Sequence, residues 1–117
     1  MPSERSATRR WLQDIAHHIG LALRFAEGLE FDVFCADQRT VYAVTRCLEI
    51  ISEASRRLPD EIKLRHPTIA WKEMAGAGNV YRHDYEEVAP AYVWVTLREH
   101  LPGLLVVVEG EIAGLPL

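Results

Sequence analysis

The chain has 117 residues, of which 49% are hydrophobic, so it is long enough for one domain, residues 1–117, with a modest core. Its net charge of −4 excludes a broadly basic nucleic-acid-binding protein, because such proteins carry a positive field over a whole face. Any contact with a nucleic acid must therefore be local. Cys35 and Cys47 lack CxxC spacing and are predicted to be free thiols of a reducing cytosol, not a disulfide or a zinc site.

The ends of the chain and its apolar runs bear on localisation. Residues 1–10 are polar and lack the apolar core of a signal peptide. No run approaches the ~18 apolar residues that a membrane span requires. We therefore expect a cytoplasmic protein without a membrane contact.

A first long helix is predicted over residues 3–27 and ends at Gly28. Its apolar residues recur at three- and four-residue steps and form one stripe: Trp11, Ile15, His18, Ile19, Ala22, Phe25, Ala26 and Leu29. His17 and His18 are adjacent, and adjacent side chains on a helix point ~100° apart. They cannot share a metal ion without a third partner, so we predict structural roles for both.

A second long helix follows residues 29–36, which are bulky but show no sustained period. Asp37 is its predicted cap, and Pro59 ends it because proline would break the next turn. Its stripe consists of Val41, Val44, Leu48, Ile51 and Leu58.

Charged side chains also line this second helix. Glu49 and Glu53 lie four residues apart on one face, with Arg46, Arg56 and Arg57 nearby. One interpretation is a solvated face whose ion pairs contribute a few tenths of a kcal/mol each. The other is that Glu49, with Arg46 beside it, supports a site by orienting an arginine from another part of the bundle.

Residues 60–66 are short and charged and predict one helical turn or a loop. Thr68 is then the predicted cap of a third helix, which runs through Ile69, Trp71 and Met74 into residues 76–85. Gly76 and Gly78 would each cost this helix about 1 kcal/mol relative to alanine. Close packing or an open site is therefore expected there.

Residues 76–85 combine one amide, one arginine, one histidine and two phenols: Asn79, Arg82, His83, Tyr81 and Tyr85. Arginine is a permanent cation shaped for phosphate oxygens, and histidine exchanges a proton near neutral pH. The combination suits cleavage of a phosphodiester. An ordinary polar helix end is the alternative interpretation.

A fourth helix is predicted over residues 88–100, and Leu101-Pro102-Gly103 is expected to interrupt it. Residues 104–108 have strand propensity, but no second strand is predicted to pair with them. Residues 104–112 are therefore predicted to form a final short helix packed on the bundle. The sequence thus predicts an all-α bundle of four to five helices.

Three segments, residues 46–58, 66–74 and 78–85, resemble the HepT family of HEPN-domain proteins, and the similarity extends from about Trp11 to Leu104. The resemblance implies a HEPN-type antiparallel helical bundle and a homodimer with its catalytic cleft near the dimer interface. It also implies a metal-independent ribonuclease toxin, without a cofactor, that is neutralised by a nucleotidyltransferase antitoxin of the MntA type.

The family motif runs arginine, a polar residue, three variable positions, histidine, any residue, tyrosine. Asn79, His83 and Tyr85 fit it, but Gly78 occupies the arginine position. Arg82 lies one helical turn further on, about 40° around the helix, and its long side chain can reach back into the same volume.

If Arg82 substitutes for the missing motif arginine, each site residue has a role. His83 is then the general acid or base, Arg82 stabilises charge on the phosphate, and Asn79 positions it. Tyr85 is the residue that the antitoxin would modify with AMP. Because of Gly78, a catalytically silent binding subunit of a nucleotidyltransferase stays open as an alternative, and an unrelated helical dimer without a ligand is a third.

Overall fold

The computed structural model describes residues 4–77 and 89–116, and within them every regular element is helical. The elements are α1 Glu4–Phe25, α2 Phe31–Ala36, α3 Gln38–Arg57, α4 Asp60–Arg65, α5 Trp71–Gly76, α6 Ala89–Val95, a π-helical turn Thr96–His100 and α7 Leu101–Gly114. The predicted all-α bundle is confirmed. The sequence does not predict the short helix α2, because residues 29–36 show no sustained period of apolar residues.

Helix α1 ends at Phe25, two residues before its predicted end. Leu12, Ile15 and Ile19 of the predicted stripe are fully buried, whereas Phe25 is 43% exposed. In the turn that follows, Gly28 has a φ of 78°, a left-handed conformation that glycine adopts without strain. His18 Nδ1 lies 2.7 Å from the carbonyl oxygen of Asp14 one turn earlier. This contact within the helix supports a structural role for that histidine.

Helix α3 begins at the predicted cap. The Asp37 carboxylate accepts hydrogen bonds from the Thr40 backbone N–H at 3.2 Å and from the Thr40 hydroxyl at 2.7 Å. The hydrogen bond from the Thr40 side chain holds the pKa of Asp37 below its ordinary value. At the other end, Arg57 lies over the Trp11 ring of α1, so the two helices run antiparallel.

The start of α5 differs from its prediction. Thr68 does not cap it; the helix begins at Trp71, after a turn in which the Ile69 N–H donates to the His66 carbonyl oxygen. The Trp71 indole Nε1–H donates to the same carbonyl at 3.0 Å. The aromatic side chain therefore closes the turn, and the helix starts only after Ala70.

A half-buried carboxylate of α7 fixes the end of α4. Glu111 accepts from Arg65 Nη2 at 2.6 Å, and its other oxygen lies 2.7 Å from His66 Nε2. The hydrogen bond from Arg65, followed by that from His66, lowers the pKa of Glu111. These contacts join α7 to the turn that precedes α5.

The predicted interruption at Leu101-Pro102-Gly103 is wrong, because α6, the π turn and α7 continue as one helix, Ala89–Gly114. In the π turn the Leu101 N–H donates to the Thr96 carbonyl oxygen five residues earlier. Pro102 follows directly, at the start of α7, so the π turn changes the backbone hydrogen-bonding pattern just before the residue that lacks a backbone donor.

By length and composition, Ala89–Gly114 is apolar enough to cross a membrane, contrary to the expectation that no such run exists. This is weak evidence for a span, because the core helix of a folded domain has the same character. Here Leu97, Leu101, Leu104 and Val108 are fully buried in the core.

Candidate active site

The predicted catalytic residues Asn79, Arg82 and His83, together with Tyr85, lie in residues 78–88, outside the described residues, and their roles stay predictions. We call residues 78–88 the motif segment. The described residues on either side of it are both buried: Ala77 is 1% exposed and Ala89 is 3% exposed. The motif segment therefore connects two points of the packed bundle.

Two polar contacts hold α5, the helix that leads into the motif segment. Arg56 of α3 donates from Nη1 to the carbonyl oxygen of Ala75. His100 Nε2 of the π turn lies 3.3 Å from the Glu73 carboxylate. Met74, which lies between Glu73 and Ala75 in the sequence, is buried. Helix α5 thus contacts α3 through Arg56 and contacts the π turn through an exposed pair that contributes little stability. A π turn is a helical irregularity that is frequent at functional sites.

The supporting residues Glu49 and Arg46 lie on the side of α3 that faces α1. They line a groove of about 190 Å³ together with Trp11 and Asp14. No hydrogen bond or ion pair joins the side chain of Glu49 or Arg46 to another residue within 4–77 and 89–116. Their proposed support of a motif arginine stays a prediction.

Glu53 has the ion pairs that Glu49 lacks among the described residues. Its carboxylate oxygens lie 2.6 Å from Arg56 Nη2 and 2.9 Å from Arg57 Nη2. Side-chain hydrogen bonds from Arg56 and then Arg57 lower the pKa of Glu53. All three side chains are well exposed, so these pairs add little stability and fit the solvated-face interpretation.

The sequence reasoning missed the contact between Arg56 and Ala75. The two residues are 19 positions apart and belong to different helices, so neither periodicity nor motif spacing relates them. The only hint was the placement of Arg56 and Arg57 in the last turn of α3, where cations complement the helix dipole.

The described part of the chain offers neither a metal site nor an activated thiol. Residues 4–77 and 89–116 contain no group of three His, Cys, Asp or Glu side chains arranged to hold a metal ion. The cysteines are free thiols, and burial raises the pKa of Cys47. Thiolate chemistry at Cys47 is therefore disfavoured.

Comparison with known proteins gives one family and several relatives. The family model described as "Ribonuclease HepT-like" matches residues 15–110, which include the motif segment. "Probable ribonuclease HepT" of Thermococcus cleftensis is 40% identical over 94 residues, which cover 80% of this chain and 86% of that protein. "Putative RNase MJ1216" of Methanocaldococcus jannaschii is 33% identical over 94 residues, covering 80% and 78%. No solved structure matched the chain.

Proposed function

We propose, because this chain belongs to the HepT-like ribonuclease family, that it is a metal-independent endoribonuclease whose active site is in the motif segment. One observation carries the proposal: Asn79, His83 and Tyr85 fit the family motif and fall inside the matched residues 15–110. The anchoring of α5 by Arg56 supports it, since a catalytic segment requires a fixed frame.

The chemistry follows from the residue types. In RNA, the 2′-hydroxyl oxygen attacks the adjacent phosphorus and forms a cyclic phosphate while the bond from phosphorus to the 5′-oxygen breaks. His83 takes the proton from the 2′-hydroxyl or gives one to the 5′-oxygen. Arg82 stabilises the charge that develops on the phosphate oxygens, and Asn79 orients them. No step requires a metal ion.

We predict that purified protein cleaves single-stranded RNA in the presence of EDTA and that His83→Ala lowers the rate about a hundredfold or more, as expected for loss of an acid-base group. His17, an exposed histidine of α1, provides the matched control, and His17→Ala should cleave at the wild-type rate. Gel analysis of end-labelled RNA measures both. Loss of cleavage in EDTA, or equal rates for His83→Ala and wild type, would contradict the proposal.

A second candidate function is favoured by Gly78, which stands where the family motif has its arginine. On this alternative the chain is a catalytically silent binding subunit of a nucleotidyltransferase. It predicts no cleavage by the wild type together with a stable complex with the nucleotidyltransferase. Size-exclusion chromatography and the cleavage assay on the same preparation separate the two functions.

We also propose that the chain is a cytoplasmic toxin with an MntA-type nucleotidyltransferase as its antitoxin. The enzyme would transfer AMP from ATP to the Tyr85 phenol oxygen and release pyrophosphate. The added negative charge would repel an RNA phosphate and so block the site. After co-expression, mass spectrometry should find the adenylyl mass on Tyr85, and Tyr85→Phe should remove it. An unmodified tyrosine, or modification at Tyr81 alone, would argue against this assignment.

The proposed assembly is a homodimer, supported by an exposed apolar face of α7. Val106 is 72% exposed, and a Cβ added at Gly103 or Gly110 on the same face would meet no atom within 4 Å. Light scattering should give the mass of a dimer, and Val106→Asp should shift it toward the monomer. A monomeric wild type at micromolar concentration would contradict the dimer.

A further inference from the structure

A half-buried tryptophan near the start of α1 lies close to two guanidinium groups from different helices. The Cζ atom of Arg10 is 5.4 Å from the centroid of the Trp11 ring, and that of Arg57, in the last turn of α3, is 5.7 Å from it. Arg10 is exposed, and the Arg57 side chain is 59% exposed. We call Arg10, Trp11 and Arg57 the Trp11 patch.

Charged groups of both signs surround the Trp11 patch in a chain that is acidic overall. Glu53 is shared between Arg56 and Arg57, so one carboxylate faces two guanidinium groups, and Arg10 adds a third cation nearby. The groove that Trp11 lines holds three acidic residues, Asp14, Glu49 and Glu53, and one basic residue, Arg46. Guanidinium groups therefore outnumber carboxylates only at the end of the groove nearest to Arg57.

The position of the Trp11 patch connects it with the motif segment. Arg56, the neighbour of Arg57, donates to the carbonyl oxygen of Ala75, which is three residues before Gly78. The last turn of α3 thus contacts α1 through Arg57 and α5 through Arg56. Ala75 therefore lies against the same turn of α3 that contributes Arg57 to the Trp11 patch.

We propose that the Trp11 patch is a binding subsite for one nucleotide of single-stranded RNA outside the point of cleavage; this deepens the proposed ribonuclease function and rests on it. Aromatic rings and guanidinium planes stack on bases of any sequence, and arginine contacts phosphate oxygens. One base packs on the exposed part of Trp11 and its guanidinium neighbours, and Arg10 and Arg57 contact the flanking phosphates.

A second arginine and tryptophan pair in the same chain has a different environment and provides the control. Arg98 Cζ lies 4.4 Å from the Trp94 centroid, and Arg98 also donates to the Leu29 carbonyl oxygen at 3.0 Å. Trp94 contacts the rings of Phe31 and Phe34. Arg98 is exposed and joins the π turn to the segment before α2, and within residues 4–77 and 89–116 no second guanidinium lies over the Trp94 ring.

The test is equilibrium binding of a short fluorescein-labelled 2′-O-methyl oligoribonucleotide, followed by fluorescence anisotropy at several salt concentrations. The blocked 2′-oxygen prevents cleavage, so binding is measured separately from catalysis. Trp11→Leu should weaken binding about fivefold to a hundredfold, the range for one stacked base, whereas Trp11→Phe should retain most of the affinity.

The arginines are tested by the double variant Arg10→Gln with Arg57→Gln. The slope of log affinity against log salt should fall by about 0.7 for each phosphate that the variant no longer binds. Arg98→Gln should leave both the affinity and the slope at wild-type values. Circular dichroism confirms that each variant is folded.

The outcomes separate the subsite from the proposed catalysis. A wild type that binds the probe through Trp11 but does not cleave unmodified RNA supports the subsite and removes the nuclease function. A wild type that cleaves RNA while the Trp11 and arginine variants bind as it does overturns the subsite and leaves the nuclease. Equal affinity for a duplex probe, or no binding at all, also overturns the subsite.

Discussion

Replacing Arg82 with alanine is expected to lower RNA cleavage about a hundredfold or more, nearly as far as His83→Ala, because a fixed donor to a developing charge contributes about 3 kcal/mol. The reason is the glycine at position 78, where the family motif has arginine. If the motif segment is helical, positions 78 and 82 share one face, and Gly78 leaves the volume open for the longer side chain. Single-turnover cleavage of labelled RNA measures the effect.

Two further substitutions test whether Arg82 has taken over the missing role. Arg82→Lys should restore little activity, because a point charge cannot hold two phosphate oxygens as a guanidinium does. Gly78→Arg in the Arg82→Ala background should recover part of the activity, since the two side chains would then occupy one site. Unchanged cleavage by Arg82→Ala would show that another arginine, or none, fills this role.

The long helices could be predicted from the sequence because the signals that define them are local. The stripe of α1 and the Asp37 cap of α3 each depend on residues within a few turns, and both are confirmed. The end of α3 at Arg57 is also predicted by a local signal, because Pro59 follows it. Periodicity and capping therefore predict the two longest helices, which contribute about half of the buried hydrophobic residues among the described ones.

The remaining differences come from contacts that are distant in the sequence. The turn before α5 is shaped by Trp71 and by Glu111, which lies on α7 and binds Arg65 and His66. The continuation of the helix past Pro102 depends on the π turn before it. No local pattern encodes such pairings, so tertiary packing overrides propensity at these positions.

The candidate site likewise has some features that the sequence predicts and others that it does not. Asn79, His83 and Tyr85 could be proposed as site residues because they fall within one short motif, and their roles stay predictions. The contacts of the helix before that motif could not be predicted. Arg56 contacts Ala75, which is 19 positions away, and Glu73 pairs with His100 of the π turn. Motifs thus indicate the chemistry, whereas the fold determines what holds the reacting groups in place.

Helix α2, which the periodicity analysis missed, is expected to be essential for stability through Phe34. This side chain is fully buried, and its ring lies 5.2 Å from that of Trp94 on α6. Phe34→Ala removes a large apolar group and leaves a cavity, so the free energy of unfolding should fall by about 3–5 kcal/mol. Urea denaturation followed by circular dichroism measures this change.

Phe31 is the matched control, because it lies on the same helix and its ring is also near Trp94, at 6.0 Å, yet it is 43% exposed. Phe31→Ala removes one aromatic pair and little buried area, and should cost roughly 1 kcal/mol. If the two variants were equally destabilised, α2 would not pack through Phe34 as described. A small effect for both would mean that α2 contributes little to the core, and the bundle of α1, α3 and α7 would then account for the stability by itself.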